Sequence, residues 1–341
     1  MENEKSWSFS GIWNSALVSG EERKVEPRDY LYASELGKAP IDVFLSMKGV
    51  AKTNPPNDRS KRKFEAGNLW EWIVKMLLTR AGVLQNSQKP SPYQYPELLR
   101  VSGRLDFIAG GKIDAEKAKR VVEEEKLGLP PSFYRAYDQI VEYFAKNYPD
   151  GLEPRILEIK SVSAFVFDGL EAKKNASIKI HRLQLYHYLK AENMKRGDIV
   201  YICRDDCRMM EVPVLMPSPV EDEYKDYIAK MTEWVKKDEQ PPLEQPIIFD
   251  EDTGKFSKNN GIAWSGYLTM LYGLKDQNEF DEKFKPQAER FNRVIGRIKR
   301  GDKMTVKNEE VKREIVEAGF DLPAIITKFA GSEEESDGTL N

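Results

Sequence analysis

The chain has 341 residues, 40% of them hydrophobic, and its 53 Lys and Arg against 56 Asp and Glu leave a formal charge of −3. That length and apolar content suffice for a sizeable core with an appended region, and the acidic balance excludes wholesale coating of a polyanion while permitting a local basic groove. No run approaches the apolar length of a membrane span, Met1 to Leu17 lacks the basic start and apolar middle of an export signal, and Cys203 and Cys207 alone exclude a disulfide framework or a four-cysteine metal site within one chain, so a reducing, cytoplasmic location is expected.

Residues 1–33 scatter aromatics and charges without a period and read as an N-terminal arm. Ser34 to Gly49 combines a serine cap, apolar Val43, Phe44 and Met47, and a closing glycine, which predicts a helix. A loop follows through Pro55, Pro56 and the basic run Arg59, Lys61, Arg62 and Lys63. From Asn68 to Arg80 the spacing of Leu69, Ile73, Met76 and Leu77 predicts a helix with Glu71 in its first turn. Pro96 to Gly110 reads as a strand or hairpin edge carrying Asp106 between Leu105 and Phe107, with Gly103 and Gly110 as bends. An insertion over 111–150 is expected to hold two helices, Ala115 to Lys126 and Phe133 to Tyr148, parted by Pro130 and Pro131. Both its ends join strands that carry acids, which places it to wall a cleft.

Arg155 to Ser161 is the stretch around which the rest is organised. Read as a short strand, it puts Glu158 and Lys160 on one face and Leu157 and Ile159 on the other. A loop to Lys179 precedes a helix from Ile180 to Asn193, on which Gln184 and Tyr188 lie one turn apart. Asp198 to Arg204 and Met209 to Leu215 read as paired strands, with Cys203 and Cys207 at the hairpin tip. Tyr224, Tyr227, Ile228, Met231 and Trp234 mark another helix, and the proline-rich connection from Gln240 to Pro246 opens a linker over 240–258. The core is thus bounded at 34–239, followed by a helical region over 259–330 and an acidic tail over 331–341 expected to be disordered.

Taken singly, an acid two residues ahead of a lysine on a half-exposed strand is most often a solvated pair, and Glu71 has Lys75 as an i,i+4 partner. The order of the candidates distinguishes them. Gly67-x-x-x-Glu71 falls on a helix, Gly103-Arg104-Leu105-Asp106 on a strand, Glu158-Ile159-Lys160 on the next core strand, and Gln184-x-x-x-Tyr188 on the helix after it. This pattern resembles the PD-(D/E)xK nuclease superfamily, and within it the RecB-like exonuclease branch that carries a QxxxY motif, over residues 34–215. The resemblance implies an α/β fold with a mixed central sheet flanked by helices, as in restriction endonucleases, and metal-dependent hydrolysis of DNA phosphodiesters. It assigns Mg²⁺ or Mn²⁺ to Asp106, Glu158 and the Ile159 carbonyl, hard oxygen donors suited to such ions, with Glu71 binding directly or through water. In the same reading Lys160 orients or deprotonates the attacking water and holds charge in the transition state. Gln184 and Tyr188 steady the lysine or contact the DNA strand.

Many relatives in that branch carry an iron–sulfur cluster on four cysteines. Here Leu36 to Pro40 has no cysteine and Cys203 with Cys207 cannot complete a site, so no cluster is expected. His181, first on its helix, is a candidate phosphate contact, whereas His187 reads as a polar surface residue. Further DNA contacts are expected from Arg59, Lys61, Arg62 and Lys63 ahead of Glu71. Others are expected from Arg293 and Arg297, which with Arg290 and Arg300 form a basic stripe across from Phe291, Val294, Ile295 and Ile298. The expectation is a DNA exonuclease of recombination, repair or phage-type processing, with DNA as its partner, no membrane, and room for a processing complex or further copies of itself. The competing readings are an overhang-trimming endonuclease of the CRISPR-adaptation type and a scaffold subunit with a vestigial core, the latter opposed by intact acids and lysine.

Overall fold

The structure, a computed structural model, describes residues 26–114, 148–173, 177–251 and 253–329 and scattered positions between 115 and 147. Two compact units part between Gln240 and Pro241, with Lys52 to Pro55 belonging to the second. The expected insertion helices lie for the most part outside the described residues, as do the acidic tail and most of the N-terminal arm.

In the first unit the arm ends in a short strand, β1 (Tyr30–Tyr32), and α1 (Pro40–Met47) begins with a proline at a position where a helix needs no N–H. α2 (Asp58–Arg80) starts well before Asn68. Asn57 caps it by accepting from the Ser60 N–H at 2.9 Å, Asp58 sits at the positive end of the helix dipole, and Arg and Lys are good helix formers. The basic run Arg59, Lys61, Arg62 and Lys63 is therefore the opening of this helix and not a loop. The stripe turned to the sheet differs too: the half-buried Trp70, Val74 and Leu78 pack on it, while Leu69, Trp72 and Leu77 face outward. Both stripes have helical spacing, and only the position of the sheet chooses between them.

β2 (Leu84–Pro90) follows, and β3 (Arg100–Ser102) pairs in parallel with β1. The central sheet has five strands in the order β2-β4-β5-β6-β7, where β4 is Arg104–Gly111, β5 Leu152–Val162, β6 Arg196–Cys203 and β7 Met209–Leu215. β5 and β6 run parallel and the other neighbours antiparallel, so the expected mixed sheet flanked by helices is present. The parallel pair requires a crossover, supplied by α3 (Ala164–Ala172) and α4 (Lys179–Glu192). One face of the sheet, with Ile156, Val162 and Tyr201, packs on Leu185 and Leu189 of α4 and on Ile228 and Met231 of α5 (Val220–Lys237). The other face, with Phe107, Leu157, Ile159 and Ile202, packs on α2. The period-two split of β5 holds, but the strand is covered on both sides, as parallel neighbours usually are.

α4 approaches the start of β4 so closely that a Cβ at Gly103 would fall 2.8 Å from the Tyr188 hydroxyl and 2.9 Å from Ala33 Cβ. Gly103→Ala is expected to destabilise the unit by ~1–3 kcal/mol, the usual range for overpacking. A calorimetric Tm equal to that of the parent would show that the helix steps back without cost.

In the second unit, β8 (Ile247–Asp250) and β9 (Lys255–Lys258) form an antiparallel hairpin inside the stretch read as a linker. Two short helices follow, α6 (Asn260–Ala263) and α7 (Leu268–Tyr272). The long α8 (Gln277–Lys299), α9 (Val306–Glu317) and α10 (Leu322–Phe329) then close a core around Phe256, Phe280, Phe284 and Phe291. Among the described residues no helix is long and apolar enough to cross a membrane.

Candidate active site

β4 and β5 pair as far as Phe107 opposite Leu157. Beyond that point a side chain takes over from the ladder, and the Ile159 N–H donates to Asp106 Oδ2 at 2.8 Å. A strand residue turns its N–H and C=O to the same side, so the Ile159 carbonyl faces the same gap as the Asp106 carboxylate. Glu158 is 1% exposed. Its Oε1 accepts from Lys160 Nζ at 2.6 Å, and its Oε2 is buried with no hydrogen-bond partner.

The electrostatics follow from that burial. Removal from water, and then the nearby Asp106, push the Glu158 carboxyl up to about 8. Burial also raises Asp106, against the pull of Lys160 and of the Ile159 N–H. Burial alone would lower Lys160, but Glu158, Asp106 and Glu71 outweigh it and hold the ammonium above the ordinary lysine value. Lys160 is therefore a proton-bearing donor at neutral pH.

Glu71 reaches this cluster from α2, on the opposite layer. Gln88 of β2 links the two, its Nε2 lying 3.3 Å from Glu71 Oε2 and 3.4 Å from Asp106 Oδ1. Burial, then Asp106, raises Glu71 to about 7. Gln88 escaped the sequence reading because β2 shows no apolar alternation and was not recognised as a strand. Only the pairing of Ser87 with Phe107 and of Lys89 with Leu105 sets Gln88 opposite Asp106. Its left-handed backbone, φ 50°, is not announced by a glutamine either.

Gln184 and Tyr188 are buried on α4. Gln184 Nε2 donates to the Tyr188 hydroxyl at 3.3 Å, and that hydroxyl donates to the Arg104 carbonyl at 2.9 Å. Chiefly through burial the phenol is held well above its usual range, so it stays protonated. The pair thus fastens the beginning of β4, two residues before Asp106, and makes no direct bond to Lys160.

The two histidines are placed differently. His181 contacts the Tyr201 hydroxyl at 3.1 Å through Nδ1. Burial, then Lys160 and Lys38, drive it down to about 3, so it is neutral near pH 7, with an imidazole N–H as its only donor. His187 is buried and not a surface residue: Nε2 donates to the Ser91 carbonyl at 2.8 Å, and Nδ1 accepts from the Tyr224 hydroxyl at 2.9 Å. Its signal was available, since Leu183, Tyr186 and Leu189 make its helix apolar on nearly every side.

Lys63 stands about 12 Å up the helix from Glu71, with Lys61, Arg62 and Arg59 further on. Arg293 and Arg297 are exposed on α8, whereas Arg290 pairs with Glu314 at 2.9 Å and Arg300 with Asp302 at 3.0 Å. All four belong to the second unit, and the acid cluster to the first.

Among the described residues no three acidic, histidine or cysteine side chains close around a point by themselves. Mg²⁺ does not require that, since it is commonly held by one or two carboxylates and completes its sphere with water and phosphate oxygens. Two buried carboxylates whose pKa values are raised, an orphaned Glu158 Oε2 and an adjacent carbonyl fit such an ion, because a cation would satisfy the oxygen the protein leaves bare.

No family model matches the chain, and no curated protein matches it. The crystal structure of SSO0001 is 13% identical, covering 69% of this chain and 90% of that one, with a TM-score of 0.41. The crystal structure of LHK-Exo in complex with dAMP is 11% identical, covering 67% of this chain and 97% of that one, with a TM-score of 0.35. At such identities and TM-scores the likeness carries no functional argument, and the reading of the site rests on its own side chains.

Proposed function

We propose that this chain is a divalent-metal-dependent nuclease that hydrolyses DNA phosphodiesters, working as an exonuclease without an iron–sulfur cluster. The observation that carries the reading is the bare Glu158 Oε2, buried beside Asp106, the Ile159 carbonyl and a charged lysine. Mg²⁺ or Mn²⁺ held by Asp106, Glu158 and the Ile159 carbonyl, with Glu71 at the rim, would supply Lewis acidity toward a phosphate oxygen and acidify water. The protein's own contribution is positional. Asp106 is pinned by the Ile159 N–H and Gln88, Glu158 Oε1 by Lys160, and β4 by Tyr188. Lys160, carrying its proton, orients water as a donor and holds charge developing on the phosphoryl oxygens.

The experiment is digestion of end-labelled linear DNA and closed circular DNA with Mg²⁺, Mn²⁺ or EDTA. Linear DNA should be shortened from its ends, the circle spared, and EDTA should silence the reaction. Absence of cleavage with both metals, or equal cleavage in EDTA, would remove the proposal, and rapid opening of the circle would make the enzyme an endonuclease. A finer expectation concerns Gln88. Gln88→Ala should raise the metal concentration for half-maximal activity roughly 10- to 100-fold, as loss of groups supporting metal ligands does. An unaltered metal titration would reduce Gln88 to a bystander.

A further inference from the structure

α2 presents more apolar surface than the sheet uses. Phe64 and Trp72 are each 60% exposed, and Gly67 between them has nothing within 4 Å of where a Cβ would lie. At the helical increment, Phe64 lies about 20° and Trp72 about 100° around the axis from Glu71, whereas the half-buried Trp70, Val74 and Leu78 lie about 100°, 60° and 20° the other way. Lys61 and Lys75 fall in the same sector, at about 80° and 40°. Among the described residues neither lysine makes an ion pair, although carboxylates are abundant in the chain. One open face of one helix therefore carries the series Lys61, Phe64, Trp72 and Lys75, and it adjoins the carboxylate that Gln88 ties to Asp106.

Resting on the nuclease reading above, we propose that this face is a guide for a single-stranded stretch of nucleic acid. Phe64 and Trp72, about 12 Å apart along the axis, stack on its bases, and Lys61 and Lys75 take its phosphates, so that the strand runs past Glu71 at the edge of the acid cluster. Aromatic platforms interleaved with cations are what unpaired strands require, because every base has an apolar ring face and every linkage a charge. A purely apolar partner would leave the two ammonium groups at its border without a counter-charge.

The test separates binding from cleavage. In an Asp106→Asn background and in EDTA, anisotropy is measured with a labelled mixed-sequence single strand and with a blunt duplex of the same sequence. Phe64→Ser combined with Trp72→Ser should weaken single-strand binding roughly 30-fold or more and leave the duplex within roughly threefold. Lys61→Gln and Lys75→Gln should each lower the slope of log affinity against log salt by about 0.7 on the single strand. Both aromatics are exposed, so the variant should fold, and circular dichroism verifies it; if it does not fold, the lysine variants still decide. Undiminished single-strand affinity overturns the proposal, as does equal loss on strand and duplex. A parent dimer that the aromatic substitutions dissolve without changing strand binding also overturns it and gives the face to a second copy. If strand binding falls as expected but the parent cuts no DNA with either metal, only the nuclease reading fails. If the parent cuts and strand binding is unaffected, only the guide fails.

Discussion

Asp106→Asn should abolish DNA cleavage and, in the metal-free protein, raise Tm. The amide keeps an oxygen for the Ile159 N–H, so the 2.8 Å bond and the splay of β4 from β5 survive. What disappears is a charge whose ionisation the fold opposes, since burial raises Asp106 despite Lys160, Ile159 and Gln88. Asp106 also helps to push Glu158 up to about 8 and Glu71 to about 7. An acid whose folded pKa lies above its unfolded value stabilises below the unfolded value and loses that contribution as pH rises through the folded one. The parent should therefore weaken from the ordinary carboxylate range up to about pH 8, and the variant should weaken less. The Tm gain is expected at about 2–5 °C near pH 8, closing toward pH 4, from relief of order 1 kcal/mol. Activity should fall by at least roughly a thousandfold, because the missing charge is half of what would hold the ion. A stabilised but active variant would sink the metal assignment, and a destabilised one the electrostatic account.

Lys160→Met has the second largest expected effect. The ammonium sits 2.6 Å from Glu158 Oε1, and its loss leaves both oxygens of a buried carboxylate bare. The Glu158 carboxyl should then rise beyond about 8, and metal binding, which needs the carboxylate, should shift to higher pH. At a pH where Glu158 is ionised in both proteins, calorimetric metal affinity should be retained while turnover falls roughly 100- to 1000-fold, the usual cost of one transition-state donor. Lys160→Arg, which restores charge with a different reach, should recover the pH dependence of metal binding more fully than turnover. If metal affinity is lost at every pH, the lysine only props the site.

The sequence located most of this cluster because its spacing is local. Glu158, Ile159 and Lys160 belong to one strand, and alternation alone separates the acid and lysine from Leu157 and Ile159. Gln184 and Tyr188 were placed on one helix face by their spacing, but their hold on β4 was not legible, since the Arg104 carbonyl that Tyr188 meets is 84 residues away. The opening of α2 was lost because basic residues and two prolines resemble a loop, until Asn57 is found accepting from Ser60.

What the sequence by itself determined is therefore periodic: a strand with an acid and a lysine on one side, helices around it, and an order of motifs that puts four acidic or amide positions on separate elements of the core. Only the tertiary structure decided which stripe of α2 is turned to the sheet and which stands free. It also set Gln88 between Glu71 and Asp106, and made both histidines neutral and Glu158 Oε2 bare. The reason is physical. Period and capping act over a few residues and can be read from their neighbours, whereas burial and charge shifts depend on what the sheet brings alongside from distant parts of the chain.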